Sequence, residues 1–266
     1  MNTLSAGNYL GNKVDAYVNK KILISKTDYC SVENKGWHCH ENSFFAYFLK
    51  GGNFEYRKTK EIKCSAGTLL FYQSQEPHCN KAYTSDCKIF HVEIDNNWFH
   101  QHDLRTEKIK ADVIGDFTVK NVFTNILYEF ATRDELTGSS IEHLLLYLFV
   151  LLSRSSAHDH SIPSWVKKFD AVIKDCITDT PTLANISKLI DIHPVTLSKE
   201  FYRYYHCSFG DYIRHLKIEN SLPLLAKKNL PVNDVAYRCG FTDTSNFIRT
   251  FKKVKGVTPN VYRQYT

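Results

Sequence analysis

Pro231-Val-Asn-Asp-Val-Ala-Tyr-Arg-Cys-Gly-Phe-Thr-Asp-Thr-Ser-Asn-Phe-Ile-Arg-Thr-Phe-Lys-Lys-Val-Lys-Gly-Val-Thr-Pro-Asn-Val-Tyr-Arg263 reads as a short helix, a glycine turn and a second helix. Val232, Val235 and Ala236 recur at i, i+3 and i+4, which gives the first helix one apolar face. Gly240 follows it and, lacking Cβ, can take the positive φ that ends a helix tightly. Thr242 or Asp243 can then cap the next helix by accepting from an unpaired backbone N–H. In that helix Phe247, Phe251 and Val254 point inward, and Thr244, Ser245, Ile248, Arg249 and Lys252 take the opposite face. A polar and basic helix presented in this way suits a DNA groove.

The same plan occurs earlier, in Leu183-Ala-Asn-Ile-Ser-Lys-Leu-Ile-Asp-Ile-His-Pro-Val-Thr-Leu-Ser-Lys-Glu-Phe-Tyr-Arg-Tyr-Tyr-His206. Ile186, Leu189 and Ile190 form the inward face of its first helix, and Ile192 packs in the turn. His193-Pro194 opens the second helix, where proline is tolerated at the first position. Leu197 and Phe201 then face in, with Tyr204 or Tyr205; Val195, Thr196, Ser198, Lys199, Tyr202 and Arg203 face out. Between the two units, residues 209–228 read as a connecting helix that Pro223 should kink or break.

Residues 164–266 resemble the DNA-binding domain of the AraC/XylS family of bacterial transcription regulators. The resemblance rests on Ala236, Gly240-Phe241, Asp243, Ser245, Phe247, Arg249, Phe251-Lys252, Gly256, Thr258-Pro259 and Tyr262-Arg263. Departures lie in or near the first unit: Ser187 stands where the family usually has alanine, Cys207 where it has glycine and Lys217 where it has arginine. By position, the resemblance implies groove-facing roles for Val195, Ser198 and Lys199 and for Thr244, Ser245 and Arg249. Arg249 suits the O6 and N7 edge of guanine, and Val195, Thr196 and Thr244 suit thymine methyls. Lys199, Arg203, Lys252, Lys253 and Arg263 suit phosphate. The alternative for Arg249 is an ion pair within the domain, with Asp234 or Asp243.

Charge falls in the same place. Residues 161–266 carry 16 Lys+Arg against 9 Asp+Glu, and residues 1–160 carry 18 against 19, which together give the chain's +6. Phosphate neutralisation needs that excess, although ordinary surface charge would also supply it.

The first half has short strands. Phe44 to Leu49, a Lys-Gly-Gly-Asn loop and Phe54 to Arg57 read as a β-hairpin. Gly67 to Tyr72 is another apolar run, and in Ile89 to Ile94 the residues Phe90, Val92 and Ile94 share a face. These runs suggest a small antiparallel barrel, similar to the cupin-like sensor domain found in many members of the family. From Phe117 the period becomes helical, with Val119, Val122, Phe123, Ile126, Leu127 and Phe130 on one face. Ile141 to Leu152 form a second helix whose run Leu144 to Leu152 is apolar nearly all round, so it should pack partly on the barrel and partly on a second subunit, or be buried wholly within its own domain.

The expected fold is therefore two domains: a mainly β cupin-like barrel followed by helices, and an all-α domain with two helix-turn-helix units. The boundaries are residues 1–152 for the sensor and dimerisation domain, with its helical part at 116–152, and 153–164 for the linker. The DNA-binding domain takes 165–266, with its units at 182–206 and 231–254. His158 and His160 are solvated linker residues in this reading.

His38-Cys39-His40 and His78-Cys79 raise metal binding, since His38 and His40 share a strand face. A cupin metal motif expects a glutamate four or five residues after the second histidine, where Phe44 and Phe45 stand. The histidines are therefore taken as pocket residues, with no metal and no cofactor. Trp37, His38, His40, Phe45, Tyr47, Tyr72 and His78 are the candidate effector pocket. The eight cysteines contain no Cys-x-x-Cys pair, and no signal peptide opens the chain, so reduced thiols in a bacterial cytoplasm are expected, with the nucleoid as the site of action. Cys39, Cys64 and Cys79 as a thiol sensor is the alternative.

With 43% hydrophobic residues and no phosphate loop or dinucleotide fingerprint, the chain is expected to be globular and non-enzymatic, and the family resemblance implies a dimeric transcription regulator. Its partners would be promoter DNA, a small effector and, for an activator, RNA polymerase; no membrane is involved. The competing readings are a metal-dependent cupin enzyme or metal sensor fused to a DNA-binding domain, and a constitutive regulator whose barrel only dimerises.

Overall fold

The computed structural model describes residues 2–30, 36–58, 60–109, 113–157, 163–176, 181–205 and 207–265. Among the described residues ten strands come first: β1 Asn2–Leu4, β2 Asn12–Asn19, β3 Ile22–Asp28, β4 His38–His40, β5 Ser43–Lys50, β6 Gly52–Arg57, β7 Lys60–Ser65, β8 Leu69–Tyr72, β9 Cys79–Lys81 and β10 Lys88–Ile94. They form an antiparallel sheet in the order β2-β3-β10-β5-β8, a second in the order β7-β6-β9, and a short parallel pair β1-β4.

Strand alternation decides what lies on each face of the larger sheet. In β10, Phe90, Val92 and Ile94 turn to one side, opposite Tyr47, Phe45 and Ser43 of β5. These residues, Ser43 apart, join Ile22 and Ile24 in a core shared with the helices that follow. Ile89, His91 and Glu93 turn to the other side, opposite Phe48, Ala46 and Phe44. That side belongs to a separate inner core with Tyr29, Cys64, Leu70 and Tyr72.

The hairpin expected at residues 44–57 does not form. β5 pairs with β10 and β8, whereas β6 pairs with β7 and β9, so Lys50 to Asn53 is a corner between sheets. Glycine is required there: Gly51 has φ 62°, and a Cβ on Gly52 would lie 2.0 Å from the Cys64 carbonyl oxygen.

Helices close the first unit: α1 Asn96–Gln101, α2 Phe117–Thr132 and α3 Thr137–Ala157. Asp116 caps α2 by accepting from the Thr118 and Val119 N–H groups, and the expected face from Val119 to Phe130 is buried. Ile141, Leu145, Leu148, Phe149 and Leu152 of α3 join the same core, while Tyr147 and Val150 remain exposed. The helix continues to Ala157, five residues into the stretch assigned to the linker, because Ser153 to Ala157 contains no helix breaker. His158 and His160 lie outside the described residues. Among the described residues, no helix is long and apolar enough to cross a membrane.

The second unit is helical: α4 Ser164–Cys176, α5 Leu183–Ile190, α6 Pro194–Tyr205, α7 Phe209–Leu225, α8 Val232–Arg238, α9 Thr244–Lys255 and α10 Pro259–Tyr265. It has two cores. One joins Trp165, Phe169, Ile186, Ile190, Leu197 and Phe201; the other joins Val235, Ala236, Phe247, Phe251 and Tyr262. Helix α7 serves both, through Ile213 in the first and Ile218, Leu222 and Leu225 in the second. Its 17 residues make a rod of about 25 Å. Pro223 lies in the last turn, where the lost hydrogen bond falls at the fraying end, so the helix ends two residues later without breaking earlier.

Candidate functional site

Each helix-turn-helix unit is built by a cap, a left-handed turn residue and an apolar inner face. In the first, Thr182 caps α5 by accepting from the Asn185 N–H. The turn residue is Asp191, at φ 58° and ψ 55°, and the Ile192 N–H closes the helix end on the Ser187 carbonyl at 2.9 Å. Aspartate tolerates this conformation better than most residues with a Cβ. Ile186, Ile190 and Ser187 face inward, but Leu189 is 60% exposed, contrary to its expected place in the core. The i, i+4 pair Ile186 and Ile190 defines the contact line of this short helix, and Leu189 falls outside it.

Helix α6 begins at Pro194, and the His193 ring accepts from the Val195 N–H. Leu197 and Phe201 are buried. Val195, Thr196, Ser198, Lys199, Tyr202 and Arg203 are all exposed on the outer face.

In the second unit Gly240 takes φ 75°, and the Phe241 N–H donates to the Ala236 carbonyl at 3.1 Å. Asp243 caps α9 by accepting from the Asn246 N–H at 2.7 Å. Ser245, Arg249, Lys252 and Lys253 are exposed, and Thr244 is half-buried. Ile248 packs against the core, so it leaves the expected outward set. Arg249 makes no ion pair with Asp234, Asp243 or any other described residue, which leaves its guanidinium available.

Lys217 does structural work that sequence reasoning missed. From α7 its buried ammonium donates to the Gly240 carbonyl at 2.7 Å and lies over the Phe241 ring, tying the connecting helix to the second turn. Burial lowers its pKa. Lys255, also buried, pairs with Glu219 of α7 and so is not part of the outward basic face.

The first unit holds a cavity of about 20 Å³ between the barrel sheets, lined by Tyr9, Tyr29, Phe44, Tyr72, Asn80 and four histidines, His38, His40, His78 and His91. Of the residues expected there, His38, His40, Tyr72 and His78 line it. Phe45 and Tyr47 do not: they alternate with Phe44 and Ala46 on β5 and turn to the helix-covered core. Trp37 is 46% exposed and is not in the lining. His91, Tyr9 and Tyr29 went unrecognised in the sequence, although the alternation of β10 already places His91 opposite the Phe90 face.

Burial pushes the His40 and His78 pKa values down, to about 2 and about 3, reinforced by their mutual proximity with His38; His38 and His91 are lowered too. The cavity thus presents neutral imidazoles. Burial raises Tyr9, Tyr29 and Tyr72 well above the ordinary phenol value. Beside the cavity, the buried Glu55 carboxylate accepts from Arg57 Nε at 2.8 Å, Tyr72 Oη at 2.8 Å and Asn80 Nδ2. Cys64 is raised by burial and Cys87 is raised to about 12, so neither is a thiolate at neutral pH, which weighs against thiol sensing at Cys64.

Residues 186–265 match a family described as a helix-turn-helix domain. A regulator of Escherichia coli, YpdC, is 32% identical over 39% of this chain and 34% of its own length. The chain thus spans about a third of that relative. YobQ, a regulator of Bacillus subtilis, is 21% identical over 92% of this chain and 94% of its own. Among solved structures, ToxT from Vibrio cholerae O395 aligns with 13% identity over 93% of this chain and 98% of its own, at a TM-score of 0.40.

Proposed function

We propose that this chain, whose C-terminus is a helix-turn-helix domain of the AraC type, is a sequence-specific DNA-binding transcription regulator controlled by a small species held in its barrel. The curated relatives it matches are transcription regulators, and the reading gives the barrel no catalytic role. One observation carries it: α6 and α9 bury Leu197, Phe201, Phe247, Phe251 and Val254 and expose Ser198, Lys199, Arg203, Ser245, Arg249 and Lys252, most of them as groups suited to bases or phosphates. Helix α7 holds both units, so one monomer would read two adjacent major-groove segments on one side of the duplex. As a homodimer, two copies would meet through α3, where Tyr147 and Val150 are exposed.

The test is selection of bound sequences from a random duplex pool by the purified chain. The expected outcome is a bipartite motif whose two elements lie about one helical turn, roughly 10 base pairs, apart. Recovery of sequences without any shared element would overturn the reading.

A further inference from the structure

Two features of the backbone bring three imidazoles together in the barrel. His38 and His40 are two residues apart on β4, so they project to the same side. His38 also pairs with His78 in an antiparallel bridge, closed by N–H to carbonyl bonds of 3.0 and 2.9 Å in the two directions. A neighbour on the same strand and a partner across it make a triangle. The ring centres of His38 and His78 are 4.3 Å apart, those of His40 and His78 5.4 Å, and one ring nitrogen from each histidine lies within 4.8 Å of the others.

The far side of two of these rings is fixed. His38 Nδ1 lies 3.2 Å from the Gly36 carbonyl and His78 Nδ1 lies 3.0 Å from the Glu76 carbonyl. A carbonyl only accepts, so each Nδ1 carries the proton and each Nε2 keeps its lone pair. Metal-binding histidines are commonly oriented in this way.

We propose that His38, His40 and His78 form a binding site for one divalent transition ion of the zinc class. Nitrogen ligands without carboxylate or thiolate favour Co²⁺, Ni²⁺, Cu²⁺ and Zn²⁺ over Mg²⁺ and Ca²⁺. Cys39 alternates away from the triangle, and its thiol approaches Gln75 Oε1 at 3.4 Å. The Tyr9 and Tyr72 hydroxyls donate to Glu93 and Glu55, which keeps them out of the ligand set. Metal–nitrogen bonds of about 2.0–2.1 Å require nitrogens about 3.0–3.4 Å apart, so ion binding draws the rings inward through small side-chain rotations. The three rings line a cavity of about 20 Å³, the volume of one water-sized species. The buried Glu93 carboxylate accepts from the Gly7 N–H, the Tyr9 hydroxyl and Asn42 Nδ2, so it is engaged by neutral donors and stands outside the ligand set. The site does not depend on the chain being a DNA-binding regulator.

The test uses the untagged full chain, stripped with a chelator and titrated with Co²⁺, with Zn²⁺ and Mg²⁺ as competitors. One Co²⁺ per chain is expected, with visible absorption bands of a nitrogen-bound ion, displaced by Zn²⁺ and not by Mg²⁺. His40→Ala and His78→Ala should each weaken binding by at least about 100-fold, while His143→Ala, an exposed histidine on α3, should leave it unchanged. Absence of stoichiometric binding, or folded variants that keep wild-type affinity, would overturn the proposal. If the alanine variants do not fold, X-ray absorption of the Co²⁺-loaded wild type decides. Three imidazoles on the ion support the site, and fewer than three overturn it.

Discussion

Acid should destabilise the barrel well above the pH at which carboxylates titrate. His40 and His78 are nearly fully buried, and their pKa values fall to about 2 and about 3 in the folded chain, against an ordinary value near 6.5. A depressed histidine pKa means that the unfolded chain binds more protons, so stability is full above about pH 6.5 and is lost as pH falls towards the folded values. Between pH 7 and pH 5 each such histidine costs about 2 kcal/mol, hence about 4 kcal/mol for the pair, a large part of an ordinary domain's 5–15 kcal/mol. His38 and His91 shift the same way and add to the loss. The measurement is urea unfolding at a series of pH values with chelator present. In a Trp165→Phe background the buried Trp98 reports on the barrel unit. His40→Gln combined with His78→Gln should flatten the dependence. A wild-type loss below about 1 kcal/mol over that interval would refute the reasoning, because it would mean that the histidines are hydrated or already charged in the folded state.

Arg249→Ala should weaken binding to a selected site by about 1–3 kcal/mol and relax preference at one base pair; an equal loss on random duplex would remove its base-reading role. Lys252→Ala with Lys253→Ala should weaken binding to all sequences and lower the salt slope by up to about 2, measured by titration across ionic strength. Lys217→Met, which strips the Gly240 carbonyl of its charged donor, should destabilise the helical unit by about 1–3 kcal/mol on thermal melting, and Lys217→Arg should restore most of it. Gly52→Ala places a Cβ 2.0 Å from the Cys64 carbonyl oxygen and should cost about 3 kcal/mol or more. Gly36→Ala, with nothing within 4 Å, should stay within about 0.5 kcal/mol, both read by denaturant unfolding.

What was legible in the sequence follows the range of the forces involved. Helix faces such as Val119 to Phe130 and Phe247 to Val254 depend on periodicity and capping within one element, and they lie where the periodicity puts them. In β10 the polar His91 and Glu93 alternate with Phe90 and Val92, so both faces can be assigned. In β5 nearly every residue is apolar, so alternation cannot tell the cavity face of Phe44 from the helix face of Phe45; only pairing with β10 does that. The double glycine at Gly51 and Gly52 signals a tight turn but not which strands it joins. The meeting of His38 with His78 depends on a bridge between distant segments, which no local pattern encodes.

The two helix-turn-helix units reach one geometry by different chemistry. The second uses glycine for its left-handed residue, ends α9 on Gly256 at φ 77°, and places Lys252, Lys253 and Lys255 in the last turn, where cations favour the helix dipole. Its turn is further held from α7 by Lys217. The first unit asks Asp191 to adopt the left-handed region, which costs a residue with a Cβ up to about 1–2 kcal/mol, less for aspartate. Its inner face is thinner, with Leu189 turned to solvent. Departures from the family pattern therefore act differently in the two places. Lys217 keeps the donor that an arginine would offer, so the second unit retains its tie. Ser187 loses an apolar contact and recovers only a local bond, its hydroxyl donating to the Ala184 carbonyl at 2.8 Å. On the proposed function, the better-tied second unit is expected to contribute more of the affinity for DNA than the first, so Arg249→Ala should weaken binding to a selected site more than Lys199→Ala does, and the reverse order would refute this ranking.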